Sequence, residues 1–387
     1  MASKDLIALF LLNVIIAACF NMSTSLIPLF LSDLQASVPD ISFVLFISGL
    51  VSTSLMIVSG LLSGALSPKL MITLSFVLII LGSFFLPLCS SWYQTIPWVA
   101  LLISSMGVFL PPRMLIIAQL SNPQKRGATY GFMNISWPLG GIFGPLLGGI
   151  IADIFGWNLM FYLLTVTSLT CIPLTLLIRV RSPKEENEEV ASPSAHHTNE
   201  VLLLNLLFYA LSHFLLSTGR GILDPILPIY LQEKFNASKT EIGVFLSFGF
   251  GLSTLLIQIP SGLLGDKYGH KRAMIFFTSP ISLLMIIWPW INDLFLLCLL
   301  FMCINGLWSG TWSPSITYIV KMTPLKKRNI AITIRQTSIR FGFTVGPIIA
   351  GWLWEYFSPD FTFYGSTLFF GISLILLFPL IDDRKHT

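Results

Sequence analysis

The sequence predicts an all-α membrane protein, with twelve transmembrane helices in two pseudo-symmetric six-helix bundles. Three observations carry this. Only 10% of the 387 residues are charged and 54% are hydrophobic, with a mean hydropathy of +0.81. Soluble domains carry about 25% charged residues, so most of this chain must face lipid. The apolar runs are long and continuous, as spanning helices are, rather than short and alternating as in a barrel. Finally, the two halves of the chain repeat one another.

The runs lie, in order, near 6–31, 41–65, 70–91, 94–120, 127–154 and 158–179, then 201–232, 240–264, 272–291, 294–320, 329–356 and 361–381. Each approaches or exceeds the roughly 20 residues a helix needs to cross a bilayer. The first is too long for a signal-peptide core and reads as a span. Between the sixth and seventh lies "RSPKEENEEVASPSAHHTNE", which is charged and lacks large apolar residues, as a solvated linker does. The expected organisation is therefore a bundle over 1–180, a cytoplasmic linker over 181–200 and a bundle over 201–387. His196 and His197 belong to that linker and read as solvated.

Cys19, Cys89, Cys171, Cys298 and Cys303 all fall in apolar runs, at spacings that suit neither a metal site nor a disulfide framework. No cofactor and no metal are expected. The chain has no phosphate-binding loop and no hydrolytic constellation, which argues against an enzyme and against ATP-driven work. Of the 22 Lys and Arg residues, only Lys234 and Lys239 fall on one side of the membrane. Arg113, Arg220, Arg335 and Arg340 lie within spans, and the rest gather on the other side. The positive-inside rule then places both termini in the cytoplasm of a plasma-membrane protein.

The repeat appears at an offset of about 202. Ser59-Gly60-Leu61-Leu62 matches Ser261-Gly262-Leu263-Leu264, Arg126 matches Arg328, and Gly140, Gly144, Pro145 and Gly149 match Gly342, Gly346, Pro347 and Gly351. An even number of helices per copy keeps both copies the same way up, related by an axis along the membrane normal.

These residues carry a resemblance. "GLLGDKYGHKR", Gly262–Arg272, resembles the cytoplasmic-loop signature of the major facilitator superfamily. "GGIFGPLLGG", Gly140–Gly149, is similar to the fifth-helix signature of its drug antiporters and other exporters, and Pro111–Gly131 resembles their fourth-to-fifth helix segment. The sequence departs from that pattern twice. Gly64 stands where the first loop copy would carry its acid, and the fourth-helix arginine of drug antiporters would fall at Leu102 or Ile103. The resemblance implies a secondary active transporter, an exporter of small organic or amphiphilic molecules working by alternating access, with protons as the candidate coupling ion. It implies a monomer with no nucleic-acid partner. A lipid or lysolipid flippase on the same fold and a non-transporting membrane receptor are the competing readings.

Three groups of residues stand out physically. The first is a conformational latch, Gly262, Asp266, Gly269, Lys271 and Arg272. Its glycines allow a tight reversal, its cations hold the loop at the surface, and Asp266 is expected to cap the start of the fifth span. The second is a set of packing and gating residues, Gly140, Gly144, Pro145, Gly148 and Gly149, with Gly346 and Pro347, where backbones can approach closely. The third is the charge inside the membrane. His213, Arg220 and Asp224 share one face of the seventh span with Tyr209 beside them, and with Arg113 and Arg340 they are the expected lining of a substrate cavity. Arg335 shares a face with Gly342 and Gly346 and is expected to serve the bundle interface. The arginine excess over Asp224 favours an anionic or zwitterionic substrate. His213 and Asp224 are the candidate proton carriers.

Overall fold

The computed structural model describes residues 4–62, 66–121, 126–177, 199–324 and 327–383. Gly64 and residues 181–198 of the linker lie outside the described residues. The first four spans are α1 (Lys4–Asp33), α2 (Val38–Leu62), α3 (Pro68–Phe85) and α4 (Ile96–Leu120). The fifth is interrupted at Ile135, giving α5 (Arg126–Asn134) and α6 (Ser136–Ile154), and the sixth is α7 (Gly156–Leu177). The second half opens with α8 (Asn199–Phe235). Its eighth span joins α9 (Lys239–Leu246) to α10 (Ser253–Tyr268) through a π-helical turn, Ser247–Leu252. Then come α11 (His270–Ile287), α12 (Leu294–Gly310) and α13 (Trp312–Met322) on either side of Thr311, α14 (Arg328–Tyr356) and α15 (Pro359–Leu377).

Among the described residues, eleven helical stretches are long and apolar enough to cross a membrane. The remaining expected span is α14, 29 residues long, whose Arg335, Gln336 and Arg340 lower its hydropathy.

The repeat extends to local geometry. α1 ends in a turn with Gln35 at φ 62°, and α8 ends with Asn236 at φ 51°. Each turn leads into a reciprocal cap. Ser37 and Asp40 exchange hydrogen bonds at the start of α2, and Ser238 and Glu241 do so at the start of α9. Such a box satisfies two helix-start N–H groups at once.

By contacts the chain forms two compact units, Met1–Lys184 with Pro225–Leu252, and Glu185–Asp224 with Ser253–Thr387. The first unit thus takes in the last part of α8, all of α9 and the π-helical turn. Two glycine faces on α6 explain why. Gly140, Gly144 and Gly148 lie against α1 at Ala17, Ala18, Met22 and Leu26. Gly141 and Gly149, one residue further round, lie against Phe250, Gly251, Lys239 and Gly243, and the Pro145 carbonyl fits over Gly243. Without side chains on either surface the backbones of α6 and α9 touch directly.

A polar clasp closes the end of this seam. Lys239 Nζ lies 2.8 Å from Asp33 Oδ2 and 4.3 Å from the Trp157 ring centroid. Trp157 Nε1 donates to the same Asp33 oxygen at 2.7 Å, and Thr240 Oγ1 donates to Asp153 at 2.7 Å.

In the second unit the glycines of α14 play the matching part. Gly342 packs on α8 at Phe214, Ser217 and Thr218, and Gly346 on Gly221 and Ile222, with the buried Pro347 following. α15 joins α8 through mutual Ser212 and Ser373 hydrogen bonds, 2.8–3.1 Å long.

Candidate functional site

The charged face of α8 separates into two environments, both within the second unit. At Arg220 the helix meets α12. Arg220 Nη1 donates to Asp224 Oδ1 at 2.6 Å, one helical turn on, and its Nε donates to Asn305 Oδ1 at 3.2 Å. Asn305 is oriented in turn by its amide, which donates to the Phe301 carbonyl at 3.0 Å. The guanidinium carbon lies 5.9 Å from the Phe301 ring centroid and 5.8 Å from that of Trp308, within cation–π range. Trp308 is braced edge-on by Phe343 of α14 at 5.8 Å. The Arg220 side chain is only 11% exposed, whereas that of Asp224 is 42% exposed.

This arrangement suits exchange of partners. A covered, aromatic-backed guanidinium holds a carboxylate that open space can reach. Asn305 and the two rings hold the guanidinium independently of Asp224. Arg340 is half-buried on α14, and among the described residues its guanidinium makes no hydrogen bond or ion pair, to Asp224 or to any other group. In the first half the position corresponding to Arg220 is Phe20, which packs on Trp137 at 5.7 Å.

Tyr209 and His213, which the sequence groups with Arg220, sit further along α8 beneath α13 and α14. Tyr209 is fully buried and His213 is 3% exposed. The Tyr209 hydroxyl donates to the Ser315 carbonyl at 2.8 Å, and its ring stacks 5.7 Å from Tyr318. Arg335 closes this cluster from α14, donating from Nε and Nη2 to Ser315 Oγ at 3.2 and 2.8 Å. Arg335 is thus a buried polar tie between α13 and α14.

Arg113 is likewise a tie, in the first unit. It donates to Asn13 Oδ1 at 3.2 Å, the Met133 carbonyl at 2.9 Å and Asn134 Oδ1 at 3.2 Å. The break between α5 and α6 frees the Met133 carbonyl, and Arg113 and Ser136 both bind it.

The loop motif is knotted to the end of α15. Gly269, at φ 92°, reverses the chain but offers α11 no capping side chain. Asp383 does so instead, accepting the His270 and Lys271 N–H groups at 2.8 and 3.0 Å, and lying 2.7 Å from His270 Nδ1. Burial opposes its ionisation, yet these hydrogen bonds and the His270 charge hold the Asp383 carboxyl well below the usual carboxylate range. Lys271 Nζ donates to the carbonyls of Phe378 and Leu380, and Arg272 pairs with Asp382 at 3.1 Å, cations at a helix C-terminus. The Asp266 side chain is 72% exposed, with His270 Nε2 3.4 Å away. The sequence assigns helix capping to Asp266 at the fifth span. Residues 122–125, which lead into that span, lie outside the described residues, and the cap seen in the structure is a separate one, Asp383 at α11.

Among the described residues no group of His, Cys, Asp and Glu is disposed to hold a metal ion.

Comparison with known proteins agrees with this architecture. The family model described as Major Facilitator Superfamily matches residues 9–212 and again residues 209–387. The chain is 28% identical over 325 residues to a Bacillus subtilis (strain 168) protein named uncharacterized MFS-type transporter YuxJ, covering 80% of each. It is 26% identical over 321 residues to the multi-drug resistance efflux pump PmrA of Streptococcus pneumoniae serotype 4 (strain ATCC BAA-334 / TIGR4), covering 76% of this chain and 74% of that one. In fold it is similar, at TM-score 0.78 and 12% identity over 96% of this chain and 95% of the other, to the crystal structure of a bacterial homolog of the human lysosomal transporter Spinster in an inward-facing and occupied conformation.

Proposed function

The chain belongs to the Major Facilitator Superfamily, and on that premise we propose that it exports small organic or amphiphilic molecules bearing an anionic or zwitterionic group. The observation that carries this reading is the Arg220–Asp224 pair, with its cation covered and its acid 42% exposed. Arg220 is the anchor for the substrate's negative group, and Trp308 and Phe301 support the organic part. Arg340 supplies a second cation. The four arginines within the spans, against Asp224, favour a negative group over a cation.

Export as the direction draws on the similarity to PmrA, whose name is that of an efflux pump, and on the glycine-proline motif of α6. Alternating access requires the directly packed seam between α6 and α9 to part and re-form, together with its Asp33–Lys239 clasp. On the distribution of its Lys and Arg residues both termini are cytoplasmic, and we take the protein to be a monomer of the plasma membrane.

Binding to the purified protein tests this reading. A panel of anionic, zwitterionic and cationic amphiphiles is titrated while Trp fluorescence is followed, with Trp308→Phe identifying the signal from Trp308. Arg220→Gln is expected to weaken anionic and zwitterionic ligands at least about 10-fold, the equivalent of about 1.4 kcal/mol. Unchanged affinities across the panel would remove Arg220 from the site.

A further inference from the structure

The buried cluster at Tyr209 and His213 has properties that packing alone does not explain. Arginine stays protonated in any protein environment. Arg335 is 7% exposed, and among the described residues no carboxylate pairs with it. Its hydrogen bonds go to Ser315 Oγ, and its side chain also reaches the Tyr209 hydroxyl. Both are neutral oxygens, so among the described residues nothing supplies this buried charge with a counter-charge, a costly arrangement.

A second observation points to the same place. His213 Nδ1 lies 3.0 Å from the Tyr209 carbonyl, which can only accept, so Nδ1 carries a proton. Nε2 is buried and has no hydrogen-bond partner among the described residues. Groups of that kind are uncommon in folded proteins.

The first unit supplies the contrast. By the repeat, Asn13 corresponds to His213, Arg113 to Ser315 and Met133 to Arg335. An arginine bridges the same three spans there, but from the fourth rather than the eleventh. It meets three separate oxygens, two side-chain and one main-chain, and its Asn13 partner is also engaged through Nδ2 with Met133 Sδ at 3.5 Å. The second unit keeps the buried arginine, replaces the amide with an imidazole and leaves a ring nitrogen unused.

We infer that Arg335, His213, Tyr209 and Ser315 form a small-anion site inside the second unit, taking a halide or a carboxylate. The anion supplies the counter-charge for Arg335. With Nδ1 already donating to Tyr209, Nε2 can donate to an anion only when His213 takes up a second proton. Anion and proton therefore enter together. Among the described residues the groups near His213 are Tyr209 on its own helix, Tyr318 behind Tyr209 on α13 with Asp383 beyond it, and Arg335 on α14, and none of them is a carboxylate in contact with His213. The site is separate from the Arg220 pair and does not rest on the export reading.

The test uses the purified full-length protein and follows thermal unfolding at constant ionic strength. Chloride, formate or benzoate replaces gluconate, a strongly hydrated polyhydroxy reference anion, at pH 6 and pH 8. Wild type is expected to gain about 2 °C or more at saturating anion, and to gain more at pH 6 than at pH 8. Protection by chloride and formate identifies a free small ion as the ligand, whereas protection by benzoate alone identifies the carboxylate of an organic ligand. Arg335→Gln should remove the gain while unfolding no earlier than wild type in gluconate, because it also removes the uncompensated charge. Arg113→Gln should keep the gain, and His213→Gln should keep a gain that no longer depends on pH. The proposal is overturned if none of the three anions protects wild type, if Arg335→Gln responds as wild type does, or if the gain in wild type is equal at the two pH values.

Discussion

Gly148 and Gly149 are neighbours on α6, yet a methyl group at each should have opposite consequences. At Gly149 the new Cβ would overlap the Lys239 carbonyl oxygen and stand 3.0 Å from Gly243 Cα. Both are backbone atoms of the α9 segment and cannot rotate away. Carbon–carbon contacts settle at about 3.5–4.0 Å, so α9 must withdraw by roughly 0.5–1 Å. The 2.7 Å hydrogen bond between Thr240 and Asp153 would then stretch beyond useful length. Overpacking of this kind costs about 1–3 kcal/mol, which shifts the closed-to-parted ratio of the seam by about 5- to 150-fold. At Gly148 the Cβ would meet Met22 Cγ at 2.7 Å and Leu26 Cδ1 at 2.8 Å, both on flexible side chains of α1 that can turn aside. The assay is a spin-label distance distribution between Phe155→Cys and Glu233→Cys, with the native cysteines replaced. Gly149→Ala should populate longer distances and Gly148→Ala should match the parent. A parent-like distribution for Gly149→Ala, or an equal shift for both variants, would refute the reasoning.

Two further outcomes follow from the knot and from α8. Asp383→Asn should cost about 1–3 kcal/mol at pH 7, because buried N–H groups of α11 lose their charged acceptor. The folded-state pKa of Asp383 is depressed, so its stabilisation is complete above the unfolded value of about 4 and fades as pH falls through the folded value. Melting curves of wild type and variant should therefore converge in acid, and a gap that persists there would exclude this cause. Any coupling to protons should run through Asp224, the acid paired with Arg220. Asp224→Asn should abolish uptake driven by a pH gradient in proteoliposomes while leaving exchange intact, and His213→Gln should retain the gradient response. The reverse pattern would move coupling to His213.

Much of the fold was legible because lipid imposes a blunt rule. Every run of about 20 apolar residues became a helix, and the repeat showed in details as fine as Gln35 and Asn236. Interruptions inside spans were not legible. Nothing in the composition of "SFGFGL" marks a π-helical turn, and Thr311 breaks a run that reads as one helix. The pairing of Arg220 with Asp224 followed from spacing alone. Its second partner, Asn305, did not, since a lone amide in an apolar run says nothing about which helix it will face. The cap that the structure shows at α11 was not legible for a related reason. The motif shows where α11 begins, but not which acid, near or distant in the sequence, will meet its first N–H groups. Only the folded geometry shows that Gly269 leaves α11 uncapped and that the end of α15 lies within reach.

The central claim is export through Arg220, and flux tests it most directly. Everted membrane vesicles holding the protein are given a fluorescent organic anion and an energising pH gradient, and accumulation inside is followed. Wild type should concentrate the dye, an uncoupler should release it, and Arg220→Gln, present in equal amount, should accumulate no more than vesicles lacking the protein. Accumulation by Arg220→Gln at the wild-type rate, or none by wild type for any anionic or zwitterionic compound while cations are concentrated, would contradict the account.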